Sequence, residues 1–299
     1  MDDDIYAKYK HAGKVAADAL NYGSGLIKQG ASFLEVAKRI ESRILENGAD
    51  IAFPVNIATN KIAAHYSPRN NDTLVFKNGD VVKLDVGAHF DGYIADTAIT
   101  VEVGTHNYDN MIKASSDALD NAIDIVKAGV NLSEVGKIVE ETITSYGYKP
   151  IDNLTGHSLE QYELHSGLSV PNVSNKLSRI KPKVGDVLAI EPFATNGAGH
   201  VVSGKGSNIF ICNKSFKSKL IRDNRAKILF AKLLAKFKTL PFAQRWCKDI
   251  MPNDDLILKK LSFLGLIKHY PQLLEAKGGI VTQKEHTVIV REDGCEVIT

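Results

Sequence analysis

Residues 81–103 read VVKLDVGAHFDGYIADTAITVEV and contain two runs of apolar and β-branched residues separated by the dipeptide Asp91-Gly92. Such runs are typical of strands, and Asp-Gly is typical of a two-residue turn between antiparallel strands. The segment therefore predicts a β-hairpin in which Phe90 pairs with Tyr93. Because most of its residues are apolar, we expect the hairpin to lie inside the protein.

Two aspartates interrupt this apolar hairpin. With the turn at residues 91–92, Asp85 lies opposite Ala98. Because side chains alternate between the faces of a strand, Asp96 shares the face of Ala98, and both carboxylates lie diagonally on one face. Unpaired buried carboxylates are costly, and a bound cation would explain them. The alternative is that one aspartate faces solvent and the other caps a turn.

The chain also resembles itself at a displacement of 99 residues. Residues 30–38 (GASFLEVAK) align with residues 129–137 (GVNLSEVGK), and each copy predicts a helix, a turn at glycine, a Ser or Asn N-cap and a second helix. Further along, residues 79–85 (GDVVKLD) resemble residues 185–191 (GDVLAIE), each a turn and a strand leading to an acid. One echo could arise by chance. Two in the same order favour duplicated α/β halves with an active site on a pseudo-twofold axis.

Composition by itself assigns no function. Of the 299 residues, 44% are hydrophobic and 24% are charged, which excludes collagen-like, coiled-coil and disordered chains. Three scattered cysteines without a CxxC pair, and an acidic start without an apolar block, predict a cytoplasmic protein. No apolar run is long enough to cross a membrane, so no membrane association is expected.

The charge is unevenly distributed, although the net charge is only +2. Residues 215–278 contain fourteen Lys or Arg and five Asp or Glu, and the rest of the chain is net acidic. Helical patterns cover residues 225–238, 242–250 and 256–266, and strand character returns at residues 279–290. We therefore expect one domain over residues 1–299 with a basic helical insertion at residues 215–278.

Three more polar residues border predicted strands. His157 lies in a glycine-flanked polar segment, Glu191 ends an apolar strand, and Glu285 opens another. Each alone has an ordinary explanation, a surface position for the glutamates and a structural role for the histidine. With Asp85 and Asp96 they form an oxygen-rich set with one imidazole, which suits Co, Mn, Fe or Zn. Four carboxylates would balance two divalent metal ions, so a dinuclear centre is predicted.

These motifs and several others resemble methionine aminopeptidases across nearly the whole chain. The matching segments are residues 53–54, 60, 63–68, 79–87, 91–96, 156–158, 165–167, 189–193 and 283–287. The insertion between Glu191 and Glu285 is similar to that of the type II subfamily, and the absence of a long charged N-terminal extension resembles archaeal members. The resemblance implies an α+β pita-bread fold with pseudo-twofold duplicated halves, forming one catalytic domain. It further implies a metal-dependent hydrolase that removes initiator methionine from the N-termini of nascent polypeptides, with a preference for a small second residue.

The resemblance also implies roles for individual ligands. Asp96 and Glu285 would bridge the two metal ions, Asp85 would complete one site, and His157 and Glu191 would complete the other. Glu191 would in addition act as a catalytic proton shuttle to the leaving amine.

Other positions match substrate-contacting residues of that family. His65 and His165 correspond to its two active-site histidines that do not bind metal, so both are expected to be catalytic and to contact substrate. The residues implied to line the methionine pocket are Phe53, Leu164, Tyr270 and Leu273. Each of these four could instead be a core residue.

Two rival classes and one partner question stay open. Prolidase and aminopeptidase P share the ligand set, but they usually carry a large N-terminal domain, whereas this chain starts almost directly with the first helix. A non-catalytic binding protein on the same fold would be expected to lack ligands, and all five are present here. The basic insertion either docks on ribosomal RNA, giving ribosome proximity, or is a solvated surface without a partner. A monomer is the default expectation.

Overall fold

The computed structural model describes residues 1–175, 177–213, 223–250 and 255–299. The helices are α1 (Asp3–Ser24), α2 (Phe33–Glu46), α3 (Asp109–Ile125), α4 (Leu132–Ser145), α5 (Asn224–Phe237), α6 (Gln244–Cys247) and α7 (Asp255–Phe263). The strands are β1 (Asp50–Ile51), β2 (Asn56–Thr59), β3 (Ile62–Ala64), β4 (Val81–Phe90), β5 (Tyr93–Glu102), β6 (Lys149–Pro150), β7 (Thr155–Ser158), β8 (Ser169–Pro171), β9 (Val187–Ile190), β10 (Phe193–Thr195), β11 (Val201–Cys212), β12 (Phe242–Ala243), β13 (Ile267–Glu275), β14 (Val281–Gln283), β15 (His286–Val290) and β16 (Cys295–Val297). Within these ranges, no helix combines the length and the apolar character needed to cross a membrane.

Both predicted helix pairs are present, α1 with α2 and α3 with α4. Gly30 and Gly129 occupy equivalent turns with φ of 82° and 79°, a conformation that glycine adopts without steric cost. The predicted N-caps are confirmed as well, because the side chains of Ser32 and Asn131 each accept a backbone N–H from the first turn of the second helix of their pair. The aligned residues of the two copies therefore form the same turn and the same kind of N-cap.

The predicted hairpin is confirmed in its register. Strands β4 and β5 pair antiparallel, with Phe90 opposite Tyr93 and Asp85 opposite Ala98. Both turn residues have positive φ, 52° and 88°, which matches the twist of the flanking strands. Strands β1 and β2 pair one after the other along the opposite edge of β4, and α1 and α2 contribute to the apolar core beside this sheet.

The second half has a sheet of its own, in the order β16-β15-β9-β7-β8, with a second apolar core shared with α3 and α4. The halves meet where Glu285 pairs with Ala98 of β5. The Glu285 amide donates to the Ala98 carbonyl at 3.1 Å, and the reverse bond is 3.4 Å. The Asp96 amide also donates to Thr287 Oγ1 at 2.8 Å. These bonds place β5, which contains Asp96, beside Glu285 of the second half.

The described part of the predicted insertion is helical only in part. Helix α5 confirms the basic helix expected at residues 225–238, but only Gln244–Cys247 of the second predicted helix is helical. Helix α7 confirms the helix expected at residues 256–266, whereas Ile267–Glu275, within the expected helical insertion, is a strand paired with β11. Gly265, with φ of 70°, ends the helical segment, and Pro271 could not continue one. Residues 214–222 and 251–254 of the expected insertion lie outside the described residues.

Candidate metal centre and active site

Five predicted ligands come together where the two halves meet. They are supplied by β4, β5 and β7, by the residue after β9 and by the residue before β15. These ligands are Asp85, Asp96, His157, Glu191 and Glu285, which line one small cavity of about 60 Å³. Asp96, His157 and Glu285 are buried. Residues far apart in sequence are thus adjacent in the folded chain.

Distances within this cluster are short enough for shared cations. His157 Nε2 lies 3.8 Å from Oδ2 of Asp96 and 3.8 Å from Oε1 of Glu191. One donor atom from each of Asp96, His157 and Glu285 lies within 4.8 Å of the other two. Gln283 Nε2 donates to Glu191 at 3.2 Å and to Glu285 at 3.3 Å. Sequence reasoning missed Gln283, although its place two residues before Glu285 on an extended segment puts both side chains on one face.

The charges of this cluster favour a bound cation. Burial raises the pKa of Asp85 to about 7, and burial together with neighbouring carboxylates raises the pKa values of Asp96, Glu191 and Glu285 well above their usual range. Within the described structure, Oδ1 of Asp85 and Oδ1 of Asp96 have no hydrogen-bond partner. Buried acids with unpartnered oxygens beside an imidazole are the donor set of a divalent metal site, so these residues fit the predicted metals.

Three histidines border the same cavity. Burial, followed by the charge on His165, lowers the pKa of His157 to about 3, so that its imidazole is neutral and able to bind metal. The rings of His157 and His165 lie 4.3 Å apart. Burial also lowers the pKa of His165, and it lowers that of His65 to about 4. Neutral histidines at these positions can hydrogen-bond a substrate without adding charge.

The cavity wall contains three of the four residues expected in the methionine pocket, Phe53, Leu164 and Tyr270. Leu273, the fourth expected residue, is not among the residues that line this cavity. It lies opposite Ala64 in the pairing of β13 with β3 and packs against a separate apolar cluster. Tyr270 and Leu273 are three residues apart on one strand, and an odd spacing sends side chains to opposite faces.

Other wall residues were not found from the sequence. These are Asn56, Ala64, Ile209 and Pro241. Asn56 pairs with Asp85 across β2 and β4, so its place beside this aspartate could have been predicted if β2 had been recognised as a strand. Ile209 lies on β11, and Pro241 immediately precedes β12, which pairs with β11. The expected insertion therefore contributes Pro241 to the cavity wall, and no local motif signals this.

Solved structures of the same architecture include peptidases. The structure of a thermophilic Arx1 has a TM-score of 0.86 at 16% identity and covers 100% of this chain and 91% of that chain. The crystal structure of a methionine aminopeptidase from Thermotoga maritima has a TM-score of 0.73 at 22% identity and covers 100% of this chain and 98% of that chain. These likenesses define the fold class, and they confirm the predicted α+β pita-bread fold with duplicated halves.

Sequence comparison defines the family more narrowly. The model of metallopeptidase family M24 matches residues 7–216, and the chain belongs to this family. It is 46% identical over 301 residues to the methionine aminopeptidase of Methanocaldococcus jannaschii, covering 100% of both chains. It is 44% identical to that of Pyrococcus abyssi, also over 301 residues and 100% of both chains. The predicted resemblance to archaeal methionine aminopeptidases is confirmed.

Proposed function

We infer that the protein is a metal-dependent methionine aminopeptidase, a hydrolase that removes the N-terminal methionine from polypeptides. The observation that carries this inference is identity of 44% and 46% over the full chain to archaeal methionine aminopeptidases. The cavity supports it independently, because four acids and a histidine meet beside an apolar wall. Such a site can hold metal next to an unbranched apolar side chain.

We propose that two divalent ions, Co, Mn, Fe or Zn, are held by Asp85, Asp96, His157, Glu191 and Glu285. Asp96 and Glu285 would be shared, which agrees with the backbone bonds that join their two strands. Two divalent cations neutralise four ionised carboxylates, and the donor set suits any of the four metals. When bound, such ions lower the pKa of a water and polarise a carbonyl group.

Two histidines outside the ligand set act on the substrate, and Glu191 has a second role in addition to holding metal. His165 donates a hydrogen bond to the oxygen of the first peptide carbonyl as negative charge develops there. His65 lies on the same cavity and holds the peptide near the scissile bond. Glu191, which faces His157 with one oxygen and Gln283 with the other, accepts a proton from the attacking water and passes it to the leaving amine. All three residues line the cavity, where they can form hydrogen bonds to a bound peptide.

The methionine side chain would lie against the apolar part of the cavity wall. Phe53, Leu164 and Tyr270 form the predicted wall, and Ile209 extends it from β11. A thioether chain is unbranched and adaptable, so it suits a narrow apolar pocket. The second residue of the substrate then lies near the cavity mouth, where a small side chain is accommodated most easily.

The direct test is release of free methionine from Met-Ala-Ser and Met-Leu-Ser peptides. Metal-free protein should be inactive, and adding Mn(II) or Co(II) should restore release, with Met-Ala-Ser preferred. Asp96→Asn should abolish it, while Asp109→Asn, which changes an exposed carboxylate outside the cavity, should not. Cleavage of an X-Pro peptide in place of these would assign the protein to the prolidase branch. Absence of any cleavage by metal-loaded protein would favour a binding role.

We further propose a cytoplasmic monomer that works near the ribosome on nascent chains. Helix α5 supports this, because its Lys227, Lys232 and Lys236 are exposed and form a basic surface that phosphate groups would attract. Co-sedimentation with ribosomes at low and high salt tests the idea. Replacing the three lysines by glutamine should weaken binding, and unchanged binding would exclude this surface.

A further inference from the structure

A buried ion pair joins the insertion to the first half of the molecule. Arg245 of α6 binds Glu41 of α2 through Nη2 and Oε1, and their side chains are only 3% and 8% exposed. Trp246 Nε1 donates to the second oxygen of Glu41 at 3.1 Å. Both oxygens of the carboxylate are therefore engaged by neighbouring residues of the same short helix.

The same pair also binds two backbone segments that lead to the active site. Arg245 Nη1 donates to Ser67 Oγ and to the Pro68 carbonyl, each at 2.8 Å. Ser67 Oγ donates in turn to the Val55 carbonyl at 2.8 Å, and the Val55 amide donates to Glu41 Oε1 at 3.3 Å. The result is a closed network in which one guanidinium and one carboxylate hold residues 55 and 67–68 together.

These two segments carry groups that face the cavity. Phe53 and Asn56 flank Val55, and His65 lies two residues before Ser67. His65 has φ of 62°, a left-handed conformation that a residue other than glycine adopts only at an energetic cost. Such a conformation persists when the surrounding structure imposes it. The network beyond Ser67 is well placed to do so, because it fixes the chain directly after the strained residue.

We propose that Glu41 and Arg245 are positioning residues that hold His65 and Phe53 in their active geometry, so that the insertion helps to form the substrate site. This rests on the proposed aminopeptidase activity. Neither residue lines the cavity, and both act through Val55, Ser67 and the backbone between them. Their hydrogen bonds to Val55, Ser67 and Pro68 are the route by which the pair would act on the active-site wall.

The experiment compares the wild type with Arg245→Met and with the double variant Glu41→Leu/Arg245→Leu. Replacing both charges by apolar side chains avoids leaving one charge buried alone, so the double variant should fold. The matched control is Arg43→Met, which breaks the ion pair of Arg43 with Asp18 on the same helix α2, away from the cavity. Melting temperature, bound metal, kcat and KM with Met-Ala-Ser are measured for each. Hydrogen exchange of the peptide covering residues 53–68 is followed as a readout that needs no activity.

We expect the double variant to keep its metal content, to exchange faster across residues 53–68, and to lose about tenfold or more in kcat/KM. Its preference for Met-Ala-Ser over Leu-Ala-Ser should also fall, and the Arg43→Met control should change in none of these. A double variant with wild-type exchange, kcat/KM and preference would overturn the proposal, whatever its melting temperature. An inactive wild type would refute the proposed function instead, and the exchange data would still show whether the pair holds the two segments.

Discussion

His157 Nε2 lies 3.8 Å from Oδ2 of Asp96, although the two residues belong to opposite halves of the molecule. Asp96 reaches this position from the hairpin of the first half, and His157 from a strand of the second sheet. Their proximity means that the candidate metal centre lies on the junction itself. Replacing a candidate ligand from either half should therefore weaken metal binding and activity together.

Glu285→Gln tests the metal centre by removing one charge with almost no change of shape. We expect the variant to bind Mn(II) more weakly by about tenfold or more, because a carboxylate proposed to be shared by both ions is lost. Isothermal titration of the metal-free protein measures this directly. Glu134→Gln, at an exposed position on α4, is the control and should bind as the wild type does. Equal affinities in both variants would exclude Glu285 as a ligand.

Metal-free protein should become less stable as the pH rises. The pKa of Asp85 is raised to about 7 in the folded chain, above its value in the unfolded chain. A raised carboxyl pKa stabilises the folded state below the unfolded pKa, and this contribution is lost as the pH rises through about 7. The melting temperature of chelated protein should therefore fall between pH 5 and roughly pH 8. Adding Mn(II) should reverse the fall, and a pH-independent difference between the two forms would contradict the assignment.

His65→Ala and His165→Ala separate catalysis from metal binding. Both histidines line the cavity, but neither is among the proposed ligands. We expect kcat to fall by about a hundredfold in each variant, because a hydrogen bond to the reacting peptide is removed. Metal content after dialysis should stay at the wild-type level. Loss of metal in step with activity would count against the substrate-contacting role.

Leu164→Ala and Leu273→Ala distinguish a pocket residue from a packing residue. Leu164 lines the cavity, so its truncation should raise KM for Met-Ala-Ser roughly tenfold. Leu273 packs in a separate apolar cluster, so its truncation should lower the free energy of unfolding by about 2 kcal/mol and leave KM unchanged. Kinetics and urea unfolding of both variants provide the comparison. A raised KM in Leu273→Ala would instead indicate that Leu273 contacts the substrate.

Glu296→Gln probes the contact between β16 and α1. Hydrogen bonds from Arg291, then Lys10 and Tyr6, lower the pKa of Glu296 to about 2. A depressed carboxyl pKa stabilises the folded state above the unfolded value, and the contribution is lost as the pH falls through the folded pKa. The variant should therefore be less stable by about 1 kcal/mol at pH 7. The difference should shrink as the pH falls toward 2, and a constant difference would rule out an ionic origin.

Local patterns account for much of what could be predicted. The hairpin register, the two helix pairs and their N-caps all follow from alternation, glycine turns and capping residues within short windows. The strand at Ile267–Glu275 was missed because it is defined by pairing with β11, which lies on the far side of the insertion. Ile209 was missed for the same reason, since no neighbour in sequence marks it as part of the site, whereas Gln283 could have been found from its spacing to Glu285.

By itself, the sequence determined which residues could bind metal, how the acids sit on one face of the hairpin, and that the chain contains two similar halves. These features depend on backbone periodicity and on residue chemistry, which act over a few positions. Only the tertiary structure decided that all five candidate ligands line one cavity and that Leu273 lies outside it. It also showed that Arg245 reaches Glu41 and the segment after His65. Those outcomes depend on how strands and helices that are distant in sequence pack together, and short-range sequence patterns do not predict that packing.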